Sequence, residues 1–240
     1  MKLSKRIYAL ADAVYHGDSV ADIGTDHGYV PMILMKQGKS PRVIMSDISE
    51  DSLSKARSTF KAAGLSDRVS DADFRTGDGL MTVSPGEVDE IIIGGLGGHT
   101  IVQILDDDHE KSRSFKRLVL QPRKHSGTLR YYLCTHGWDI EKEILAEEGK
   151  FACEIITALP TDHVCADAPY PEDDIRWKYP GNLADADHRL ARKRIEWKIS
   201  SITEEIDNLR RSGKVHDDLI AALNDDIEYL LLLNSRCSGI

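Results

Sequence analysis

The sequence predicts an α/β protein, a Rossmann-like doubly wound sheet followed by a C-terminal antiparallel helical hairpin of the coiled-coil kind. Three observations carry this. Short apolar runs alternate with stretches of helical period along residues 1–162, glycines and carboxylates cluster where the runs end, and residues 183–240 repeat isoleucine and leucine at steps of four and three. Strands alternating with helices bury both faces of a parallel sheet and leave ligands to the carboxyl ends of the strands.

The first element is a helix over residues 3–15, where Leu3, Ile7, Leu10 and Val14 form one apolar stripe. Lys2, Lys5 and Arg6 crowd its first turns, as a solvated helix end or as a phosphate contact beside the ligand turn that follows the first strand. Val20, Ala21 and Ile23 then form a buried strand that breaks at Gly24 into a turn holding Thr25, Asp26, His27 and Gly28. A glycine turn lets a ligand approach the backbone, and the following helix offers it unpaired N–H groups. The spacing is not that of a dinucleotide fold. Asp26 stands where GxGxxG has its second glycine, and a carboxylate there repels a pyrophosphate and favours a cationic ligand such as S-adenosylmethionine.

Residues 42–47 form a second strand ending in Asp47, about 20 residues past the turn, where nucleotide folds place the acid that bonds ribose hydroxyls. A helix over residues 53–63 stops at Gly64. Residues 69–74 form a weak third strand, in which Asp71 and Asp73 alternate with apolar residues, and lead into TGDGL with Asp78 between two glycines. Residues 88–93 form a strong fourth strand running into GGLGG, residues 94–98, with a helix from about Thr100. Residues 117–120 form a fifth strand ending in Gln121, Pro122 and Arg123, a helix over 129–136 stops at Gly137, and residues 138–145 and 151–159 form a closing antiparallel pair. Residues 163–182, interrupted by Pro169, Pro171 and Pro180, are a linker or draped loop. In the tail, Gly213 separates the runs Ile195, Ile199, Ile202, Ile206 and Ile220, Leu223, Ile227, Leu230. The domains are therefore 1–162 for the ligand-binding sheet, 163–182 for the linker and 183–240 for the hairpin.

Composition narrows the class. The 240 residues are 41% hydrophobic and 30% charged, which fits a soluble globular chain with a sizeable core. No apolar run approaches the roughly 18 residues of a membrane span, and the N-terminal stretch has Asp12 in its apolar pattern and no cleavage signal, so a cytoplasmic address is expected. Cys134, Cys153, Cys165 and Cys237 form no C-x-x-C pair, which argues against disulfides and a zinc site. The net charge of −9 argues against a generic nucleic-acid coat while leaving room for a local basic face.

Taken in order, DIGTDHGY, SDI, GDGL, GGLGG and LQP, followed by a helical hairpin, resemble the bacterial tRNA (adenine-N1)-methyltransferases of the TrmK family, which act on adenine 22 of tRNA. The resemblance covers essentially the whole chain. It implies a class I methyltransferase sheet of seven strands, S-adenosylmethionine as donor and tRNA as substrate. Residue by residue, it carries cofactor contact onto Asp22, Gly24, Asp26, Asp47, Ile48, Asp78 and Gly79, with Gly94 and Gly95 beside the reacting centre. Leu96 stands where methionine is common in the family, and Arg123 where asparagine is common.

Adenine N1 carries a lone pair in the neutral ring, so methylation there needs alignment more than a base, while the cationic product favours nearby carbonyls. GGLGG lies where many amino-methylating relatives carry an Asn/Asp-Pro-Pro-aromatic motif, trading side-chain grip for open space. The target base must leave its stack, and Tyr29 is a candidate to receive it. His27, Tyr29, Gly94 and Gln121 are the catalytic candidates, with packing at the helix start as the plain alternative for His27 and Tyr29. An N-cap and a turn residue are the alternatives for Asp26 and Asp78.

Basic residues divide between two readings. Lys5, Arg6, Arg123 and Lys124, together with His125 and Arg130, are expected to meet RNA phosphates, as are Arg192, Lys193 and Arg194 in the tail beside Arg189 and Lys198. A solvated helix start is the equal alternative for Arg123, Lys124, His125 and Arg130, and charge pairing with the acidic second tail helix is the alternative for the tail group. The tail seam is filled by its own two helices, so a monomer is expected. A methyltransferase of the same fold acting on ribosomal RNA or a small molecule is the second enzymatic reading. A non-catalytic nucleotide sensor is the reading from another class.

Overall fold

The computed structural model describes residues 3–70, 73–149, 151–162, 164, 168–212 and 215–237. Lys2, Asp71, Cys165 and Gly213, singled out above, lie outside the described residues, as does His163 at the start of the expected linker. In chain order the elements are α1 (Lys5–Ala13), β1 (Val20–Ile23), α2 (Tyr29–Lys36), β2 (Val43–Asp47), α3 (Glu50–Ala62), β3 (Phe74–Thr76), β4 (Glu90–Leu96), α4 (Gly98–Asp106), α5 (His109–Arg113), β5 (Arg117–Pro122), α6 (Ser126–Thr135), β6 (Trp138–Glu148), β7 (Phe151–Pro160), α7 (Ile175–Lys178), α8 (Leu183–Ala186), α9 (His188–Arg211) and α10 (Asp217–Arg236).

The strands form one seven-stranded sheet in the order β3-β2-β1-β4-β5-β7-β6. The pairs from β3 to β5 are parallel, and β7 runs antiparallel to both β5 and β6. Strand order reverses between β1 and β4, and their carboxyl ends open the crevice where such sheets bind ligands. Both faces are covered, which explains the unbroken apolar run of β4. Ile91 and Ile93 pack with Ile101, Leu105 and Leu129 from α4 and α6, while Ile92 between them packs with Leu10, Ile33 and Leu53 from α1, α2 and α3.

Two expectations change. The third strand occupies Phe74–Thr76 and starts where the predicted run ends. The stretch before it folds back locally, since the Asp73 carboxylate accepts from the Ser70 amide at 2.8 Å and from its hydroxyl at 2.9 Å. Asp73 at an apparently alternating position is thus a turn former, as short acidic side chains often are. The region read as a draped loop includes the helical turn α7, whose Ile175 and Trp177 are buried together with Tyr179 just beyond it.

The tail forms the expected hairpin. Ile195, Ile202 and Ile206 of α9 meet Leu230 and Leu233 of α10 in an apolar cluster that also takes in Ile175, Tyr179 and Leu145 of β6. The hairpin is fastened to the sheet domain by buried charge. Arg130 of α6 donates to Glu143 and to Glu154, both at 2.6 Å, and to the Trp177 carbonyl at 2.8 Å, and the second oxygen of Glu154 accepts from Arg194 of α9 at 2.7 Å. Burial opposes the charge on Glu154, but Arg130 and Arg194 outweigh it and hold the carboxyl below its usual range. Arg130 and Arg194 are therefore internal ties, which corrects the expectation that both face RNA.

Candidate functional site

The carboxyl ends of β1, β2 and β4, the loop after β3 and one side of α1 enclose a cleft of about 720 Å³. Asp22, Gly24, Asp26, Asp47, Ile48, Asp78, Gly79, Gly94 and Gly95 all line it, and so do His27 and Tyr29. Residues separated by more than seventy positions in sequence are thus brought to one sheet edge by the parallel register of β1, β2 and β4.

The turn after β1 is held in place from below. The Gly24 and Thr25 amides donate to the Ser46 carbonyl of β2 at 2.8 and 3.0 Å. Gly24, Asp26 and Gly28 all have positive φ, at 75°, 47° and 65°. Gly28 has a second reason to be glycine, since a β-carbon there would stand 2.9 Å from that of Ala56 on α3. Gly28, not Asp26, is the N-cap of α2, and the helix start has no side-chain cap.

Three acids face the cleft in different ways. Asp22 is 6% exposed and accepts from the Thr25 hydroxyl at 2.7 Å. Burial pushes its carboxyl up to about 6, the Thr25 hydrogen bond opposes this, and the nearby Asp47 adds to it. Asp47 is fixed by the amides of Asp26 at 3.1 Å and Ser49 at 2.9 Å, one to each oxygen. A carboxylate has about four lone-pair sites, so acceptors remain for two hydroxyls. The exposed Asp78 side chain has no hydrogen bond among the described residues, and Ile48 beside it is 72% exposed, an apolar surface at the mouth of a polar cleft.

Asp26 is placed otherwise than its position in the turn implied. Its carboxylate lies on the outer lip, 2.6 Å from His27 Nδ1 and 3.5 Å from Lys55 Nζ, so the acid deepest in the cleft is Asp22. His27 stacks on Tyr29 with ring centroids 5.1 Å apart.

At the far end, β4 continues through Gly94 and Gly95 to Leu96. A β-carbon on Gly94 would stand 3.1 Å from the Leu10 side chain, so its absence lets α1 lie over the strand end. Gly95, at φ 84°, sits under two guanidinium groups. A β-carbon there would be 3.8 Å from Nε of Arg123 and 4.0 Å from an Nη of Arg6. Gln121 is 1% exposed and does not line the cleft. It accepts from Arg6 at 3.1 Å and donates to the Pro122 carbonyl at 3.0 Å, which corrects its expected catalytic place: it orients Arg6. The loops after β4 and β5 are tied by their backbones, Gly98 N–H to the Lys124 carbonyl at 2.8 Å and Arg123 N–H to the Leu96 carbonyl at 2.7 Å.

Of the other basic residues, Lys5 pairs with Glu147 at 2.6 Å, Arg6 with Glu148 at 2.5 Å and Arg192 with Glu196 at 2.8 Å. Lys124 and Lys193 are exposed and have no ion-pair partner among the described residues. α1 reaches the cleft through Ser4 and Ile7 beside Arg6, in keeping with the reading that set its basic first turns beside the glycine turn. The apolar stripe announced the buried face of this helix. No group of three or more His, Cys, Asp or Glu that could hold a metal occurs among the described residues, and no helix there is long and apolar enough to cross a membrane.

The profile of the methyltransferase domain family matches residues 3–156. The tRNA (adenine(22)-N(1))-methyltransferase of Bacillus subtilis is 33% identical over 166 residues, 69% of this chain and 68% of that protein. Among solved structures, the B. subtilis m1A22 tRNA methyltransferase TrmK superposes with a TM-score of 0.80 at 25% identity, covering 97% of this chain and 99% of that one. A putative tRNA (m1A22) methyltransferase of Streptococcus pneumoniae in complex with S-adenosyl-L-methionine has the same fold, with a TM-score of 0.80 at 23% identity over 97% of this chain and 100% of that one.

Proposed function

We propose that this chain, which belongs to the methyltransferase domain family and within it to the tRNA (adenine(22)-N(1))-methyltransferases, uses S-adenosylmethionine to methylate N1 of adenine 22 in tRNA. The observation that carries this is the convergence of Asp22, Asp47 and Asp78 with the glycine end of β4 on one cleft. The residues fit the donor. Asp78, unengaged among the described residues, suits the adenine amino group, Ile48 the face of that ring, the remaining lone pairs of Asp47 the ribose hydroxyls, and the Gly24 turn the amino-acid end. Asp22, whose proton is held by burial and by the nearby Asp47, gives the cleft a negative charge that a cationic ligand draws out.

The donor supplies an electrophilic methyl group, and the protein supplies alignment. Gly94 and Gly95 leave room for the target ring, and carbonyl dipoles at this strand end would favour the cationic product. His27 and Tyr29 form a stacked platform on the opposite lip for a base drawn out of its helix. Arg6 is already engaged by Glu148 and Gln121, so of the two guanidinium groups near Gly95 it is Arg123 that suits the phosphate of the target nucleotide, which neutralises it as it positions the base. Lys124 and Lys193 are suited to more distant phosphates. The chain is expected to act as a monomer in the cytoplasm without a metal.

Incubation with labelled donor and unmodified tRNA, followed by nucleoside analysis, tests this. Label in 1-methyladenosine, abolished when adenine 22 is replaced, is the expected result. Label only in ribosomal RNA or in small molecules, or donor binding with no turnover on any RNA, would overturn it.

A further inference from the structure

A second cavity of about 810 Å³ lies beside the cleft, between α1, α2 and α3. Leu3, His27 and Tyr29 line both, so the stacked pair is a partition with the cleft on one side and this groove on the other. The groove has an apolar floor, including Met32 and Ile33, and a rim of hydroxyls from Ser54, Ser58 and Thr59. Its charges stand out in a chain of net −9: two lysines, Lys36 and Lys55, and no carboxylate among the described residues that line it. Lys36 has no ion-pair partner among the described residues, and Lys55 meets only Asp26 at 3.5 Å, where both side chains are more than half exposed and water screens the pair. Tyr8, 44% exposed, adds an aromatic face at the open side.

We infer that the groove holds a nucleotide flanking the target adenosine in the substrate RNA, a reading that rests on the RNA methylation proposed above. A flat apolar floor with an aromatic edge suits a base, the hydroxyl rim suits base edges and a ribose, and the two ammonium groups suit the phosphate that joins it to the target nucleotide. Continuity argues for this occupant. A strand whose target base enters the cleft beside Tyr29 must pass over the partition, and the neighbouring residue then arrives at the groove. His27 and Tyr29 serve both pockets and so fix the spacing between the two bases.

The test uses the full chain with tRNA, comparing wild type with Lys36→Glu and with Ala62→Trp, which places an indole in the groove from an exposed position of α3. Both variants are expected to raise the KM for tRNA about five- to twenty-fold, with kcat and donor affinity within two-fold of wild type. Lys36→Glu should also lower the slope of log affinity against log salt by about 0.7, the share of one phosphate contact on a single strand. RNA carrying 4-thiouridine next to the target adenosine should cross-link to α1 or α3. Unchanged KM in both variants, or cross-links that avoid these helices, would overturn the inference while leaving the methylation reading intact. Cross-linking of one copy of the chain to another through this face would overturn it as well, by giving the groove a different occupant. A wild-type protein that methylates no RNA would overturn both together.

Discussion

Two of the places where this molecule buries a carboxylate do opposite things with it. At the seam between the sheet domain and the hairpin, Glu154 lies between Arg130 and Arg194, every oxygen is matched to a guanidinium, and its proton is lost more easily than usual. At the cleft, Asp22 is equally shielded, but its one hydrogen-bond donor is the neutral Thr25 hydroxyl, its neighbour Asp47 is another acid, and its proton is held up to about 6. A buried carboxylate paired with a guanidinium on each oxygen is a fastening, while one that only feels Arg6 at a distance and has no ion pair is a place that suits a cationic ligand.

The sharpest way to break this contrast is to remove a partner at the seam. Arg130→Ala strands Glu143 and leaves Glu154 with Arg194 alone, and should cost roughly 3–5 kcal/mol, the usual effect of breaking a buried pair. Chemical denaturation reads the loss, and donor affinity measured on the folded fraction should not move. A variant as stable as wild type would mean that water reaches the seam.

Next in size is Asp22. Its pKa is about 6 in the fold against 3.8 for the free group, so the stability it contributes is complete below about pH 4 and is lost as pH rises through 6, on the order of 3 kcal/mol. Asp22→Asn should therefore make the ligand-free protein more stable at pH 8 and remove that slope. The same ionisation should assist a cationic donor. Calorimetry between pH 5 and 8 should show wild-type affinity rising through about pH 6 with release of a proton, and the variant flat and weak. A pH-independent wild type would end the assignment of Asp22.

Asp78→Ala is a smaller cut, since it removes an exposed acceptor. Donor affinity should fall about ten-fold, as for the loss of a hydrogen bond to a charged group, with the melting temperature unchanged. The least effect separates neighbours on α9. Lys193→Ala should raise only the KM for tRNA, by a few-fold, and soften its salt dependence, whereas Arg194→Ala should destabilise the hairpin and leave the KM of the surviving fraction alone. Equal behaviour of the two would erase the distinction between a surface charge and a tie.

Arg194 also shows where the sequence stops being readable. Along β1, β2 and β4 the signals are local: a run of apolar residues buried on both sides, then a glycine or an acid where the strand must meet a ligand. The nine residues expected at the donor all reached one cleft for that reason. Arg130, Arg194 and Gln121 were misplaced because their partners, Glu154 and Arg6, are distant in sequence, and nothing in the local pattern says whether a polar side chain on a helix or strand end turns inward. Asp73 failed differently, through a side-chain turn that imitates strand alternation over a few residues.

The backbone tie between the loops after β4 and β5 has a kinetic meaning. The Gly98 and Arg123 amides can exchange with deuterium only when both loops part, and Gly98 is so close to its neighbour that a β-carbon would stand 2.1 Å from the His125 carbonyl oxygen. That wall of the cleft moves with the core. The first turn of α1, which also lines the cleft, is held by the solvent-screened pair of Lys5 with Glu147 and by Arg6 with Glu148 and Gln121, while Leu10 and Ala11 further along are buried in the core. Moderate salt should therefore loosen that first turn and quicken the departure of product before it touches the stability of the sheet.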